Sequence, residues 1–596
     1  MNRNLTEPLP QSLDSRRSII VLCSLLMLAA VQFFIGLGGL PLLGPDEPRY
    51  AEVAREMFAS GNYVSPFLCG HLWFEKPALL YWLQAAAYHV FGVSEFAARF
   101  PSALAALATL LFVYFALRRA VSWRMGLLAA LVLATSVAWW GFARGATTDM
   151  VLAATISVAV LSGYLATLAT ETVSTATLAA ETVAVERQRR TFLLLCAAST
   201  GLAMLAKGLV GIVFVVLILG IYAVVTRRRL IQRPGEALGM AAVFLLVMAL
   251  WYVPVTLAHG QEFIDEFFIN HHFKRYLTND YNHPQPVYYY LFVSAVGAMP
   301  WTFFLLPAIS RLRTLQPRRN EHDALLALAW IWVAVPLLFF SFSTSKLPGY
   351  ILPIFPALAV VLGFEAERIW NSERTWDGER TNGTRTGLEQ ALIFLTFALL
   401  LTLGVGAGIY LHRKGGVLDS GTVTALLGLL CTGGLIAATW TIVGKARAAV
   451  ISPVAIMPCI ILVAVTVLFP RVYQSLSLKP LSLQIAAALK PQEEIILFHT
   501  DRQYAPVFYN EGRVKFYKGS RILHGMARGD ELDVEIAAQL IEALKYEQSE
   551  GKSSVILITS PGRRNDLQRD PRFQTEMVGQ YGRIAALRVS LNSATG

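Results

Sequence analysis

The sequence predicts a polytopic α-helical membrane protein that ends in a small soluble α/β domain. Three observations carry this reading. Hydrophobic residues make up 55% of the 596 and charged residues only 15%, a mean hydropathy of +0.50 that a soluble fold could not bury. Apolar runs of about 18 residues or more recur along the chain, each matching a bilayer core of roughly 30 Å. Arginines gather in short segments between those runs, and alternate crossings bring them to one side, as the positive-inside rule requires.

The elements follow in order. Arg16 and Arg17 precede an apolar run over 19–37. It is too long for a signal-peptide core and reads as a retained first span leading outward. Residues 41–77 form a polar outer stretch. The segment ALLYWLQAAAYHVFG, 78–92, is too short to cross and rich in interfacial aromatics, so it reads as a helix lying on the outer surface. A second span, 100–117, ends inside at Arg118, Arg119 and Arg124. The third brings ARGATTDM outside, and the fourth returns to ERQRR at 186–190. The fifth ends outside at Lys207 and Gly208, the sixth inside at Arg227, Arg228 and Arg229. The seventh, 238–257, opens a second outer loop over 259–286, and the eighth returns to Arg311 and Arg313. The ninth delivers STSKLPGY outside, and the tenth returns to a charged loop over 365–385. Runs at 391–410, 422–443 and 450–469 complete about thirteen spans and leave the C-terminus outside.

Beyond residue 471 the apolar runs shorten to strand length, EEIILFH and then SSVILIT, around an amphipathic helical pattern at 532–546. Strands alternating with a helix indicate a small α/β unit. The expected organisation is a transmembrane domain over 1–470, with site-bearing outer loops at 38–99 and 258–287, and a soluble domain over 471–596. ATLATETV at 166–173 recurs as ATLAAETV at 176–183, two copies that lengthen an inner loop and are too few for a solenoid.

The net charge of +11 belongs to the topology-setting loops and does not indicate a nucleic-acid partner. The five cysteines have neither zinc nor disulfide spacing. No phosphate-binding P-loop or dinucleotide glycine pattern occurs. What remains is a set of charged residues that border the apolar runs. Asp46, Glu47, Glu75, Lys76, Asp149, His271, His272, Arg275 and Lys346 all fall on the outer side of the expected topology. Asp46 and Glu47 lie between Pro45 and Pro48 before a helix expected at 50–60. They either cap that helix or do chemistry. Glu75 and Lys76 are either a solvated pair or part of a site. Asp149 follows two threonines at the outer end of an apolar helix, where an ionisable group is costly and a functional role is the default. His271 and His272 serve packing or, with a carboxylate such as Glu75, a divalent ion such as zinc. Lys274, Arg275 and Lys346 suit a phosphate; Lys207 joins them or merely snorkels. Outer-face acids with phosphate-binding bases point to transfer from a sugar-bearing polyprenyl phosphate. A lipid-linked sugar transporter is the rival, but transporters set ionisable groups near the midplane.

The segments GPDEPRYAEVAREM, FEKPALLYWLQA, FGVSEFAARFPSAL, ARGATTDM, LAMLAKG, HHFKRYL and SKLPGYILPIFPALA occur in an order that resembles the bacterial 4-amino-4-deoxy-L-arabinose lipid A transferases (glycosyltransferase family 83). These are relatives of the protein O-mannosyltransferases with the GT-C glycosyltransferase fold. The resemblance spans about residues 20–360. It implies a bacterial inner-membrane enzyme with its site and C-terminal domain in the periplasm. The implied donor is undecaprenyl phosphate carrying an amino sugar, and the implied acceptor is lipid A or another envelope glycolipid. It implies Asp46 and Asp149 as the catalytic acids. Lys76 and Arg275 would hold the donor phosphate, with Arg49, Tyr50 and Tyr350 lining the cavity; Glu47 and Lys346, on the same expected face, join the substrate-binding candidates by position. Glu75 with His272, or His271, would bind a divalent metal, zinc by its ligands. Another sugar, or a protein hydroxyl as acceptor, is the alternative.

Overall fold

The computed structural model describes residues 11–175, 179–274, 285–372, 446–470, 473, 477–491, 493–497, 504–511, 513–515, 534–549, 551, 554–582 and 584–592. The spans expected at 391–410 and 422–443 lie outside them. The chain divides into two compact units. The first comprises residues 1–37, 74–80 and 99–468; the second comprises 38–73, 81–98 and 469–596.

Among the described residues seven helices are long and apolar enough to cross a membrane, or eight if the bent pair Trp123–Thr135 and Val137–Ala143 forms one span. In the first unit, Thr148–Thr175, Ala179–Lys207, Leu209–Thr226 and Pro234–Phe263 follow one another. Gly208 separates the second from the third with φ +77°, a left-handed angle that glycine adopts without penalty. Just beyond it, a Cβ on Gly211 would lie 2.4 Å from the Ala203 carbonyl carbon, so only glycine allows the approach. The Pro234–Phe263 helix leaves Leu238, Leu246 and Leu257 largely exposed, an apolar face suited to lipid. At its N-terminal end, Arg189 donates to both carboxylate oxygens of Glu236, at 2.6 and 2.8 Å.

The third and eighth expected spans are interrupted. The third bends by 67° at Ser136. The break frees the Val137 N–H, which donates to Met299 O at 3.1 Å, and Thr135 Oγ1 accepts from Trp301 Nε1 at 2.9 Å. A helix break at membrane depth persists where neighbours satisfy the freed groups in this way. The eighth run is the helix Tyr289–Gly297, a turn, and the short helix Leu305–Ser310. Pro300 and Pro307 interrupt the backbone donors there. Gly297 sits where a Cβ would meet Phe355 at 2.5 Å and Ala138 at 2.8 Å.

The second unit holds the helix Asp46–Ser60, a short hairpin of β1 (Phe67–Leu68) and β2 (His71–Leu72), and a five-stranded sheet. The helix starts four residues ahead of the expected Tyr50, because prolines suit the first helical turn. Glu52 is fully buried and takes Arg55 on both oxygens, at 2.8 and 2.7 Å. Glu56 accepts the backbone N–H groups of Cys69 and Gly70 at 2.5 and 3.2 Å, fixing the hairpin turn to the helix.

The sheet contains β3 (Glu494–Leu497), β4 (Val514–Lys515), β5 (Val555–Thr559), β6 (Phe573–Tyr581) and β7 (Ile584–Leu591), in the order β4-β3-β5-β7-β6. β3 pairs parallel with β4 and β5, while β5, β7 and β6 are antiparallel. β5 is buried on both faces: Ile556 and Ile558 join Leu481, Ile485 and Val507, and Val555 and Leu557 join Leu540, Leu567 and Leu587. Such a two-sided strand reads as the continuous apolar run seen in the sequence. The hairpin of β6 and β7 was not anticipated, because FQTEMVGQY alternates too weakly to signal a strand.

Glu493 buckles this sheet to the Ala488 end of the preceding helix. Its Oε1 accepts from Ser554 Oγ and Arg588 Nε, each at 2.6 Å, while Arg588 also donates to Ala488 O at 2.7 Å. Burial alone would raise the Glu493 pKa, but these bonds and the Lys490 N–H overturn it and hold it below 4.5. A lowered carboxylate contributes stability above its ordinary value and loses it as pH falls through the lowered folded value. Glu493→Gln in the full chain is expected to speed amide exchange in β3, β5 and β7 at pH 7, reflecting about 3 kcal/mol for breaking a buried pair. The gap between wild type and variant should close as the pH drops below 4.5. Equal exchange at pH 7 would refute this role.

Candidate active site

In the first unit the site is built around Asp149. The helix Thr148–Thr175 opens with this residue in its first turn, where the exposed N–H groups favour an anion. Lys207 occupies the last turn of Ala179–Lys207, the end that favours a cation. The Lys207 ammonium is paired with Asp149 Oδ1, and the side chains are only 13% and 16% exposed. Lys207 Nζ also stands 4.7 Å from the centre of the Tyr350 ring, a cation–π distance. Gly349 completes the fit: a Cβ there would fall 2.5 Å from Asp149 Oδ2.

The SKLPGY segment is held in place by bonds of its own. Tyr290 Oη donates to Leu347 O at 3.1 Å, and residues Pro348–Ile354 wind into a 3-10 turn. Lys346 is buried and donates to Ser343 O at 2.6 Å and Gln285 O at 3.0 Å. Burial pushes its pKa down, and two of its three protons are committed to backbone carbonyls. Glu75 and Lys76 are also largely buried, with Lys76 Nζ 3.4 Å from Glu75 Oε1. Phe74 anchors them by packing on His259 and Phe263, ring centres 5.1 and 5.3 Å away.

In the second unit the site residues crowd the first turn of Asp46–Ser60. Glu47 Oε2 accepts the Leu43 N–H at 2.9 Å, so this acid fixes the turn before the helix. Asp46 has another partner: its Oδ1 takes Arg49 Nη2 at 2.5 Å, and its side chain remains 43% exposed. Arg49 is buried, and its guanidinium carbon lies 5.1 Å from the Tyr50 ring centre, 5.4 Å from Trp73 and 5.6 Å from Tyr504. Asp46 thus presents a carboxylate with one oxygen clamped by a desolvated cation.

The structure therefore brings Asp149 and Tyr350 together, pairs Glu75 with Lys76, and groups Asp46, Arg49 and Tyr50. The side chains of His271 and His272, and all of Arg275, lie outside the described residues. Among the described residues no group of three His, Cys, Asp or Glu is placed to hold a metal. Glu75 is the one described member of the expected set, and an ammonium faces it. Lys207, for which the sequence allows snorkelling or a place in the site, pairs with Asp149. Its signal was a lone lysine ending an apolar helix on the same expected side as a lone intramembrane aspartate. Trp73 and Tyr504 carry no local signal, since they matter only through a guanidinium distant in sequence.

Residues 41–270 match the family described as dolichyl-phosphate-mannose-protein mannosyltransferase. The chain is 32% identical over 398 residues to the undecaprenyl phosphate-alpha-4-amino-4-deoxy-L-arabinose arabinosyl transferase of Aeromonas salmonicida, over 65% of this chain and 68% of that one. It is 31% identical over 362 residues to the enzyme of the same name from Aeromonas hydrophila, covering 60% of this chain and 62% of that relative. In structure it is similar to ArnT from Cupriavidus metallidurans bound to undecaprenyl phosphate, with a TM-score of 0.72 and 24% identity over 96% of this chain and 99% of that one. The apo form of that protein gives 0.71. The fold is that of the GT-C membrane glycosyltransferases.

Gly349→Ala forces a methyl against the Asp149 carboxylate, an overpacking cost of about 1–3 kcal/mol. The variant is expected to insert and purify normally but to lose about ten-fold or more in transfer rate. Wild-type turnover in Gly349→Ala would show that the close approach to Asp149 is incidental.

Proposed function

The chain belongs to the undecaprenyl phosphate-alpha-4-amino-4-deoxy-L-arabinose arabinosyl transferase family, and we propose that it transfers 4-amino-4-deoxy-L-arabinose from undecaprenyl phosphate to lipid A at the periplasmic face of the bacterial inner membrane. The observation that carries the catalytic reading is Asp46: a half-open carboxylate gripped on one oxygen by a buried arginine.

In the proposed reaction the bond between the anomeric carbon and the donor phosphate breaks, and the bonding electrons leave with the phosphate. An acceptor oxygen attacks from the opposite face, which inverts the anomeric centre. Charge grows on the leaving phosphate and must be met by fixed cations; Lys76, Arg275 and Lys346 are assigned that task, with Tyr350 lining the donor. If the acceptor is a phosphate of lipid A, it is already ionised. Asp46 and Asp149 then orient the acceptor and stabilise the cationic sugar. If the acceptor is a hydroxyl, Asp46 takes its proton.

The match of residues 41–270 to a mannosyltransferase family that modifies protein favours one second reading, transfer of a polyprenyl-linked sugar to a protein hydroxyl. A metal is a separate proposal. Glu75 with His271 or His272 offers the carboxylate and imidazole donors that suit zinc, which would supply further positive charge when bound. Elemental analysis of purified protein is expected to find about one equivalent of divalent metal, lost in Glu75→Ala; its absence from wild type would discard the idea.

The test of the main reading is mass spectrometry of lipid A from cells with and without the gene. Deletion is expected to remove a pentosamine-sized adduct, and wild type but not Asp46→Ala should restore it, with at least about 10²-fold lower transfer in the variant. Unchanged lipid A, with a changed glycoprotein mass, would move the assignment to the second reading.

A further inference from the structure

We infer that Tyr504, from the C-terminal part of the chain, is a positioning residue for catalysis: it completes the aromatic box that fixes Arg49, and through Arg49 it aims the Asp46 carboxylate. The inference rests on the proposed role of Asp46 and adds a task for the C-terminal domain.

Three rings from three separated segments surround one guanidinium. Tyr50 comes from the helix itself, Trp73 from the end of the hairpin, and Tyr504 from residues that follow β3; their ring centres lie 5.1, 5.4 and 5.6 Å from the guanidinium carbon. Arg49 and Tyr504 are both nearly buried. A desolvated guanidinium on aromatic faces is held more tightly than one at a surface. The same guanidinium carries the 2.5 Å bond to Asp46 Oδ1. A change in the box therefore reaches the carboxylate through a single hydrogen bond.

Tyr504 is itself locked. It precedes the helix Ala505–Tyr509, whose Ala505 and Val507 are buried in the sheet core. At the far end, Tyr509 Oη donates to Glu95 Oε1 at 3.1 Å and accepts the Leu42 N–H at 2.8 Å. Lys479 pairs with the same Glu95 and stands 5.1 Å from the centre of the Tyr509 ring. Leu42 lies four residues before Asp46. The C-terminal segment thus holds the acid-bearing helix at two points: the backbone just ahead of it, and the arginine in its first turn. Simple packing would need the apolar contact alone; it would not need a ring turned toward a cation that is bonded to the proposed catalytic acid.

The test uses full-length protein with Tyr504→Phe, Tyr504→Leu, Tyr504→Ala, Arg49→Ala and the Arg49→Ala/Tyr504→Ala double variant. Tyr504→Ala and Tyr504→Leu are expected to lower kcat about ten-fold with little change in KM, and Tyr504→Phe to recover most of the loss, since the ring supplies the attraction. Adding Tyr504→Ala to Arg49→Ala should cost nothing more, because both act through one group. A second readout needs no activity. Phenylglyoxal labelling, followed by peptide mass spectrometry, should modify Arg49 about ten-fold faster in the Leu and Ala variants than in wild type or Tyr504→Phe. Full activity in Tyr504→Leu, additive losses, or an equally protected Arg49 in all variants would overturn the inference. A wild type inactive on lipid A but with Arg49 exposed by Tyr504→Leu would instead retain the box and remove the assigned reaction.

Discussion

A charge buried near the end of an apolar helix is costly unless it is paired, and this constraint shapes the first unit. Among the described residues of the first unit, several charges at or near helix ends are answered by a partner from another segment. Asp149 meets Lys207, Arg189 meets Glu236, and Arg228 meets Glu321. Arg144 is buried and donates to the backbone oxygens of Gln32 and Phe33 at 3.1 and 3.4 Å. These pairs are costly to assemble and more costly to break. They tie helices together at their ends, where apolar packing gives little selectivity because lipid is equally apolar. The Asp149–Lys207 pair also packs against the glycine and tyrosine of SKLPGY, so it links span assembly to the proposed chemistry.

Much of this was legible in the sequence, for a physical reason. Hydropathy and arginine placement report directly on what a bilayer tolerates, so the ends of the spans at Lys207 and Arg227 were readable residue by residue. The charged residues between runs were few enough to be candidates by cost alone. The helix breaks were harder. Ser136 and Pro300 interrupt runs whose hydropathy stays high, and what stabilises the interruption is a bond from Trp301 to Thr135 that no local pattern records. The weakly alternating β6 strand failed for the converse reason: its register comes from β7, with a bulge between Met577 and Gly579, and its own pattern is blurred by that bulge.

Partners at long sequence separation were the other blind spot. Asp46 and Glu47 look equivalent as adjacent acids in a proline-bounded turn. In the structure they diverge: Glu47 takes a backbone N–H and serves the turn, while Asp46 takes a guanidinium and stays accessible. The turn therefore engages one acid directly, and the other is the one proposed above for chemistry. The difference comes from Arg49, and Arg49 owes its position to rings as far away in sequence as Tyr504.

The proposed chemistry asks different things of the residues in each unit. A polyprenyl tail needs an apolar surface, and the Asp149–Lys207–Tyr350 group is built from the ends of apolar helices, with its charges compensated internally. A polar sugar and its acceptor need an aqueous approach, and Asp46, 43% exposed, sits on a helix of the unit that also contains the five-stranded sheet. The Asp149–Lys207 pair compensates its own charge, whereas Asp46 lies on a helix of the same unit as Tyr504 and, by the inference above, is aimed through it. Substitutions in the aromatic box around Arg49 are then expected to change the aim of Asp46 while leaving the Asp149–Lys207 pair intact, because Arg49 and all three rings belong to the second unit.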